Sequence, residues 1–344
     1  MSKVKTRNRT YKLHYYLTHL LRIYVTPNYF HRRYKRKCLS LLREEKLSKE
    51  IFDRVNYCNK LSAPFELKGK TYTNNGIHKT YTANNAHVKK SDINSSYRYD
   101  FCDILRFFDP EFSIAFTMGD VTFNPEIPSV LKSRPIAKRS NVNSVLLKLD
   151  KIRHFNFIED HIPYEKKGNK LMWRGAAPQP HRKKFLRDFF DHPSCDAAQV
   201  KAPDEYGYGH YLSIEDQLHS KFILCIEGYD VATNLKWAMS SNSLCFMQKP
   251  KYETWFMEGR LVPGTHYVEL NEDYSNLEEM IDYYQTNMEE AKFIIHNANN
   301  YLLQFNQKII EDLVAILVLE KYFHLAGEIH SSYADHFQPT TPPE

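Results

Sequence analysis

From about residue 166 onward, short apolar runs of strand length alternate with helix-length segments, and nothing else in the chain constrains its fold as strongly. Leu171-Met172-Trp173 reads as a strand that breaks at Arg174-Gly175, and residues 181–190 then read as helical. Lys221 to Ile226 is a short buried strand closed by Glu227-Gly228. Residues 231–240 read as a helix, Ser243 to Met247 as the next strand and His266 to Leu270 as the last. The remainder, to about Phe323, is helical. Strands and helices alternating at this spacing imply a parallel sheet with both faces covered.

Residues 60–165 read as a second mixed α/β region. Ser91-Asp92 suits the cap of a helix running to about Phe108 and ended by Asp109-Pro110. Phe112 to Thr117 is a strand-like run that stops at Gly119-Asp120, and Val145 to Leu149 is another apolar run. The segment Phe123 to Pro135, with Pro125, Pro128 and Pro135, is expected to be a loop. The resulting division is a basic helical head at 1–50, an acceptor-side domain at 51–165 and a donor-side domain at 166–305. A terminal helix at 306–330 and a loose tail at 331–344 complete it.

Charge sets the head apart. Residues 1–50 hold 14 Lys and Arg against 3 Asp and Glu, a net of +11, whereas the whole chain is +6, so the rest is net −5. Leu13, Tyr16, Leu17, Leu20, Leu21 and Tyr24 recur at helical spacing among Lys12, His14 and Arg22 until Thr26-Pro27. Three readings fit this head: a helix packed on the body with solvated charges, a helix lying on an anionic membrane surface through residues 1–45, or a nucleic-acid contact. No recognised nucleic-acid motif accompanies it.

Several classes are excluded. The chain has only 11 glycines and neither a Walker segment nor a G-x-G-x-x-G. Its six cysteines form no C-x-x-C pair, which argues against a zinc site and against a disulfide framework. No apolar run reaches the ~18–20 residues of a membrane span, and no signal peptide is evident. The expectation is a soluble protein of a reducing compartment.

In open α/β sheets, ligands bind beyond the carboxyl ends of the strands. Trp173-Arg174-Gly175 places a guanidinium at one such end. Ile226 to Asp230 places a turn at a second, followed by a helix carrying Lys236. Met118-Gly119-Asp120 places a carboxylate at a third. Arginine, lysine and a helix N-terminus together suit a pyrophosphate. Each residue taken singly has a plainer reading: Arg174 as a surface ion-pair partner, Lys236 as a solvated helix lysine, Asp120 as a turn residue. Phe116, Phe123 and Trp173 suit sugar or base faces, and core packing equally.

The runs Lys170 to Gly175, Lys221 to Gly228, Lys236, Ser243 to Phe246 and Pro263 to Val268 together resemble glycosyltransferase family 90 in order and spacing. The resemblance is firmest over 165–305 and extends back to about 110. It implies an α/β fold of GT-B type, two Rossmann-like domains facing across a cleft, with C-terminal helices. It also implies an inverting transfer from a UDP-sugar of the glucose, galactose or xylose class, with no cofactor and no metal. None of the eighteen aspartates begins a D-x-D tripeptide, in keeping with the last point. By position, Asp120 matches the catalytic base. Arg174, Gly175, Gly228, Tyr229, Asp230, Thr233, Asn234 and Lys236 fall on the donor side. Many relatives carry arginine where this chain has Asn234, and an amide brings no charge to a diphosphate. The implied enzyme is cytoplasmic, peripheral on the inner face of a bacterial inner membrane, with a lipid-linked saccharide such as lipopolysaccharide as acceptor. The alternative is a non-catalytic nucleotide- or nucleic-acid-binding protein with a basic head.

Overall fold

The structure, a computed structural model, describes residues 9–67, 72–74, 78–84, 95–136 and 141–337. The chain divides into two compact units. One holds Asn8–Ile152, Lys251–Glu258 and Phe305–Glu344, and the other Arg153–Pro250 and Gly259–Gln304.

The first unit opens with α1 (Arg9–Leu20), a π turn at Leu21–Val25, α2 (Asn28–Leu39) and α3 (Glu45–Cys58). Its sheet has the order β1 (Tyr72–Asn74), β2 (His78–Asn84), β3 (Ser113–Thr117), β4 (Ser129–Leu131), β6 (Ser144–Leu146). Strands β3, β4 and β6 run parallel, but β1 and β2 add an antiparallel edge to what was expected to be a Rossmann-like half. Helix α4 (Ser95–Leu105) precedes β3; the cap expected at Ser91-Asp92 lies outside the described residues.

The loop expected over Phe123 to Pro135 is corrected by β4 and by β5 (Ser133–Pro135), which pairs antiparallel with β11 (Tyr252–Thr254). The three prolines do not forbid these strands. Pro125 and Pro128 precede β4, and Pro135 ends β5 in a two-stranded sheet, where proline is tolerated. Ser129, Val130 and Leu131 are wholly buried between β3 and β6, and pairing on both sides makes a strand of so short a run.

The last helix of this unit, Lys308–Leu325, is apolar on nearly every side and buried from Glu311 to Phe323, packing on α2, α3 and α4. Its buried charges are all met. Glu311 accepts from Arg54 at 2.5 Å, Lys148 at 2.7 Å and the Trp255 indole at 2.8 Å. Lys321 donates to Asn56 and to the Asn59 carbonyl, both at 2.8 Å.

The second unit follows α5 (Lys151–His154), which spans the boundary. It is built on β7 (Gly168–Gly175), α6 (Pro180–Phe189), β8 (Cys195–Gln199), α7 (Ile214–Gln217), β9 (Ser220–Leu224), α8 (Leu235–Met239), β10 (Leu244–Gln248) and β12 (Val268–Leu270). Helices α9 (Leu277–Thr286) and α10 (Met288–Leu302) close the unit, and the Lys308 helix is therefore α11. All five strands are parallel, in the order β8-β7-β9-β10-β12. Every residue of β9 is buried, as a strand covered on both faces requires. Tyr164, Phe222, Phe246 and Tyr284 meet edge-to-face in sequence through this core.

Two expected elements differ here. β8 was not anticipated. The helix expected over 231–240 is five residues long, because Thr233 and Asn234 form a turn and the Asn234 amide folds back to the Leu224 carbonyl at 2.8 Å.

Candidate functional site

The strand order of the second unit places a topological switch point between β7 and β9. From β7 the chain passes through α6 to β8 on one side, and from β9 through α8 to β10 on the other. At such a point the two strand ends diverge from their helices and leave a crevice where ligands bind in doubly wound sheets. Arg174-Gly175 ends β7, and Ile226 to Asp230 follows β9.

Arg174 is committed to its own unit. Its guanidinium donates to Asp196 Oδ1 at 2.5 Å, to the Asp196 carbonyl at 2.7 Å and to the Trp173 carbonyl at 3.0 Å. Its Nε donates to the His210 carbonyl at 3.2 Å. These bonds tie β7 to β8 and to the following loop. The neighbouring Trp173 is buried against Phe185, so core packing is its role. A Cβ on Gly175 would lie 2.8 Å from the Trp173 ring, so only glycine lets the indole fold back beneath the strand end.

The cation that braces the switch point is one that sequence reasoning missed. Arg182, in the first turn of α6, donates to the carbonyls of Ala176 at 2.8 Å, Ile226 at 2.7 Å and Glu227 at 2.9 Å. It thus joins the ends of β7 and β9. Burial pushes its guanidinium down to about 10, and no carboxylate pairs with it among the described residues. A half-buried cation held by carbonyl dipoles and lying 5.6 Å from the Trp173 ring centroid sets a positive potential that suits an anionic ligand. Beside it the Gln179 side-chain oxygen is buried without a hydrogen-bond partner among the described residues. Arg182 Nη2 and Gln179 Nε2 lie 3.5 and 3.8 Å from where a Cβ on Gly228 would stand, which puts both side chains beside the Gly228 backbone.

The remaining donor-side residues follow within one turn. Gly228 N–H donates to the Asp230 carbonyl at 3.0 Å, which tightens the loop. Tyr229 is exposed at 62%, Asp230 is buried, and Thr233 is half-buried. Asn234 is not a substitute arginine; its amide satisfies the Leu224 carbonyl. Lys236 is not a solvated helix lysine: it is fully buried, its Nζ 6.0 Å from the Phe155 ring.

Asp120 belongs to the other unit. It follows β3 after Gly119, whose φ of 105° is open only to glycine, and that turn presents the carboxylate. Lys132 Nζ meets Asp120 Oδ1 at 2.5 Å, with the lysine side chain 1% and the aspartate 23% exposed. The next residue is held too, since Val121 N–H donates to Ser133 Oγ at 3.1 Å. Lys132 escaped notice because it lay in the stretch read as loop; a lysine closing the apolar run Ser129 to Leu131 was the available signal. Phe116 is buried against Phe101, a core role like that of Trp173.

All six cysteines are buried thiols outside any disulfide. Among the described residues, no helix is long and apolar enough to cross a membrane.

The sequence model described as "Glycosyl transferase family 90" matches residues 120–327, a span that begins at Asp120 and includes every donor-side residue. The chain is also 45% identical over 277 residues to a protein of Dichelobacter nodosus described as "O-glucosyltransferase LpsA". That match covers 80% of this chain and 83% of the relative.

Proposed function

Because the chain belongs to glycosyltransferase family 90, we propose that it transfers a sugar from a UDP-linked donor to an acceptor hydroxyl, with inversion and without a catalytic metal. That it is a glycosyltransferase rests on the family and on the relative. The donor, the stereochemistry and the metal-free mechanism are the proposal. The observation that carries it is Arg182, half-buried at the switch point with no carboxylate partner among the described residues.

In this reading the diphosphate of a UDP-sugar lies in the crevice between the ends of β7 and β9. Arg182 spends three of its five N–H groups on carbonyls, which fixes its place, and it contributes positive charge toward the leaving diphosphate. Gly175 and Gly228 allow close approach of backbone to ligand, and Tyr229 offers an exposed ring. Arg174 and Asn234 act one step back, by holding the strand ends in place. Asp120 takes the proton of the acceptor hydroxyl as its oxygen attacks the anomeric carbon, and Lys132 fixes the carboxylate's direction. The whole is a GT-B-type enzyme in this reading.

The name of the Dichelobacter relative favours glucose as the transferred sugar within the glucose, galactose or xylose class. The acceptor is a lipid-linked saccharide such as lipopolysaccharide. The enzyme works at the cytoplasmic face of the inner membrane, held there peripherally by its basic head.

A thermal-shift screen with UDP, UDP-glucose, UDP-galactose, UDP-xylose, GDP-mannose and ADP, in EDTA, tests the donor. A ligand at a hundred times its Kd adds roughly 2.7 kcal/mol of stability. A rise in Tm with UDP and one UDP-sugar is expected, and no response to any nucleotide overturns the proposal.

A further inference from the structure

The head presents two features side by side. Leu13, Leu17, Leu21 and Val25 recur at every fourth position of α1 and the π turn, and they are 60, 50, 56 and 67% exposed. Tyr29 and Phe30 continue this surface onto α2 at 60 and 54%. An apolar row of this length left open to water is rare on a folded surface unless something covers it.

Beside the row is a cavity of about 520 Å³, lined by the cations Arg22, Arg33, Lys37, Arg106 and Lys308. The two share their backbone. Arg22, Thr26 and Phe30 line the cavity, and each directly follows a member of the apolar row: Leu21, Val25 and Tyr29. Among the described residues, two carboxylates answer these five cations. Asp103 takes Arg106 at 3.1 Å and Arg22 at 3.5 Å, while Asp312 takes Lys308 and the Tyr34 hydroxyl. Arg33 and Lys37 are exposed and have no carboxylate partner among the described residues. The Arg106 side chain is 10% exposed, and its Nε is buried with no hydrogen-bond partner among the described residues. A cavity with surplus positive charge favours an anionic occupant.

We infer that this cavity is a phosphate site for the headgroup of an anionic phospholipid, with the apolar row seated among the acyl chains of the same bilayer. The charge of the cavity selects a phosphate, and the adjoining leucines select one carried on an amphiphile rather than a soluble one. An apolar face with a basic border matches the requirements of an interfacial helix. The inference rests on the peripheral attachment proposed above and gives it a defined site; it does not depend on the donor or on transfer.

The test is co-sedimentation of the full chain with vesicles of phosphatidylcholine alone or with ~30% phosphatidylglycerol, run with glycerol phosphate as a soluble competitor. Binding is expected to the anionic vesicles only. The double variant Arg33→Gln, Lys37→Gln is expected to weaken it about thirtyfold, at roughly a fivefold loss for each basic residue near the surface. Its Tm should match the parent, since neither side chain has a partner to lose. The variant Leu17→Ser, Leu21→Ser should also release the protein from anionic vesicles. If the chain binds anionic vesicles but the Arg33/Lys37 variant binds them equally well, the cavity is not the headgroup site, while peripheral attachment stands. If neither vesicle is bound, peripheral attachment itself fails. Equal binding to both compositions removes the role of headgroup charge. A rise in Tm with glycerol phosphate in the absence of vesicle binding makes the ligand a soluble one and overturns the inference.

Discussion

At the residue scale, chemistry and support divide between neighbours. Asp120 is the carboxylate proposed to move a proton, and Lys132 is the buried group that aims it. Asp120→Asn preserves shape and removes the base, so it is expected to lower kcat at least ~100-fold while leaving the affinity for UDP unchanged. Activity near the parent level would exclude Asp120 as the base. Sequence reading singled out Asp120 because it follows an apolar run at a Gly-Asp pair and because the family resemblance puts the base at that position. It missed Arg182, one of several basic residues in Pro180-His181-Arg182-Lys183-Lys184 with nothing local to set it apart. Its importance comes from carbonyls 44 and 45 positions away, which only the paired strands bring within reach. Arg174 illustrates the reverse. Its place at a strand end was legible, but the Asp196 that occupies it lies on β8, a strand the sequence did not announce.

At the scale of elements, β7, β9 and β10 were readable because a parallel strand buried on both faces needs a continuous apolar run, and Leu171 to Trp173, Phe222 to Leu224 and Leu244 to Met247 supply one. β8 has the sequence Cys-Asp-Ala-Ala-Gln, with no β-branched or aromatic residue. Its extended state comes from its register with β7, Leu171 opposite Cys195 through Gly175 opposite Gln199. The small residues of β8 have a purpose, since the loop at 207–209 crosses over them and Gly209 N–H donates to the Gln199 carbonyl at 3.0 Å. A Cβ on Gly209 would lie 2.5 Å from the Ala198 Cβ. Gly209→Ala is therefore expected to cost roughly 1–3 kcal/mol, the range for overpacking, seen as a lower urea midpoint. An unchanged midpoint would mean that the loop moves away without penalty.

For the molecule as a whole, stability in acid should depend on the buried charge cluster of the first unit. Burial alone would raise the Asp103 carboxyl, but Lys151, Arg106, His19 and Arg22 outweigh it and hold it at about 2, against an ordinary value of 3.8. Asp100, on the same helix, is instead pushed up by burial. A carboxylate held low in the folded state binds its proton more readily when unfolded, so the stability it lends is complete above its ordinary range. That stability, on the order of 2 kcal/mol, is lost as pH falls toward 2. Urea unfolding between about pH 6 and 2 should show this decline, and Asp103→Asn should flatten it; a variant as acid-sensitive as the parent would assign the decline to other groups. Two α/β regions were expected because each carries its own run of strands and helices. The membership of α11 was not legible, because an apolar helix near the chain's end carries no label saying which core it fills. The consequence reaches to synthesis. The first unit is left without its central buried helix until the ribosome has passed residue 308, and the intervening stretch from Arg153 takes roughly 8–30 seconds to translate at 5–20 residues per second. Over that interval the strands of the second unit are made while the first still lacks α11, so a helix translated after the second unit completes the unit begun before it.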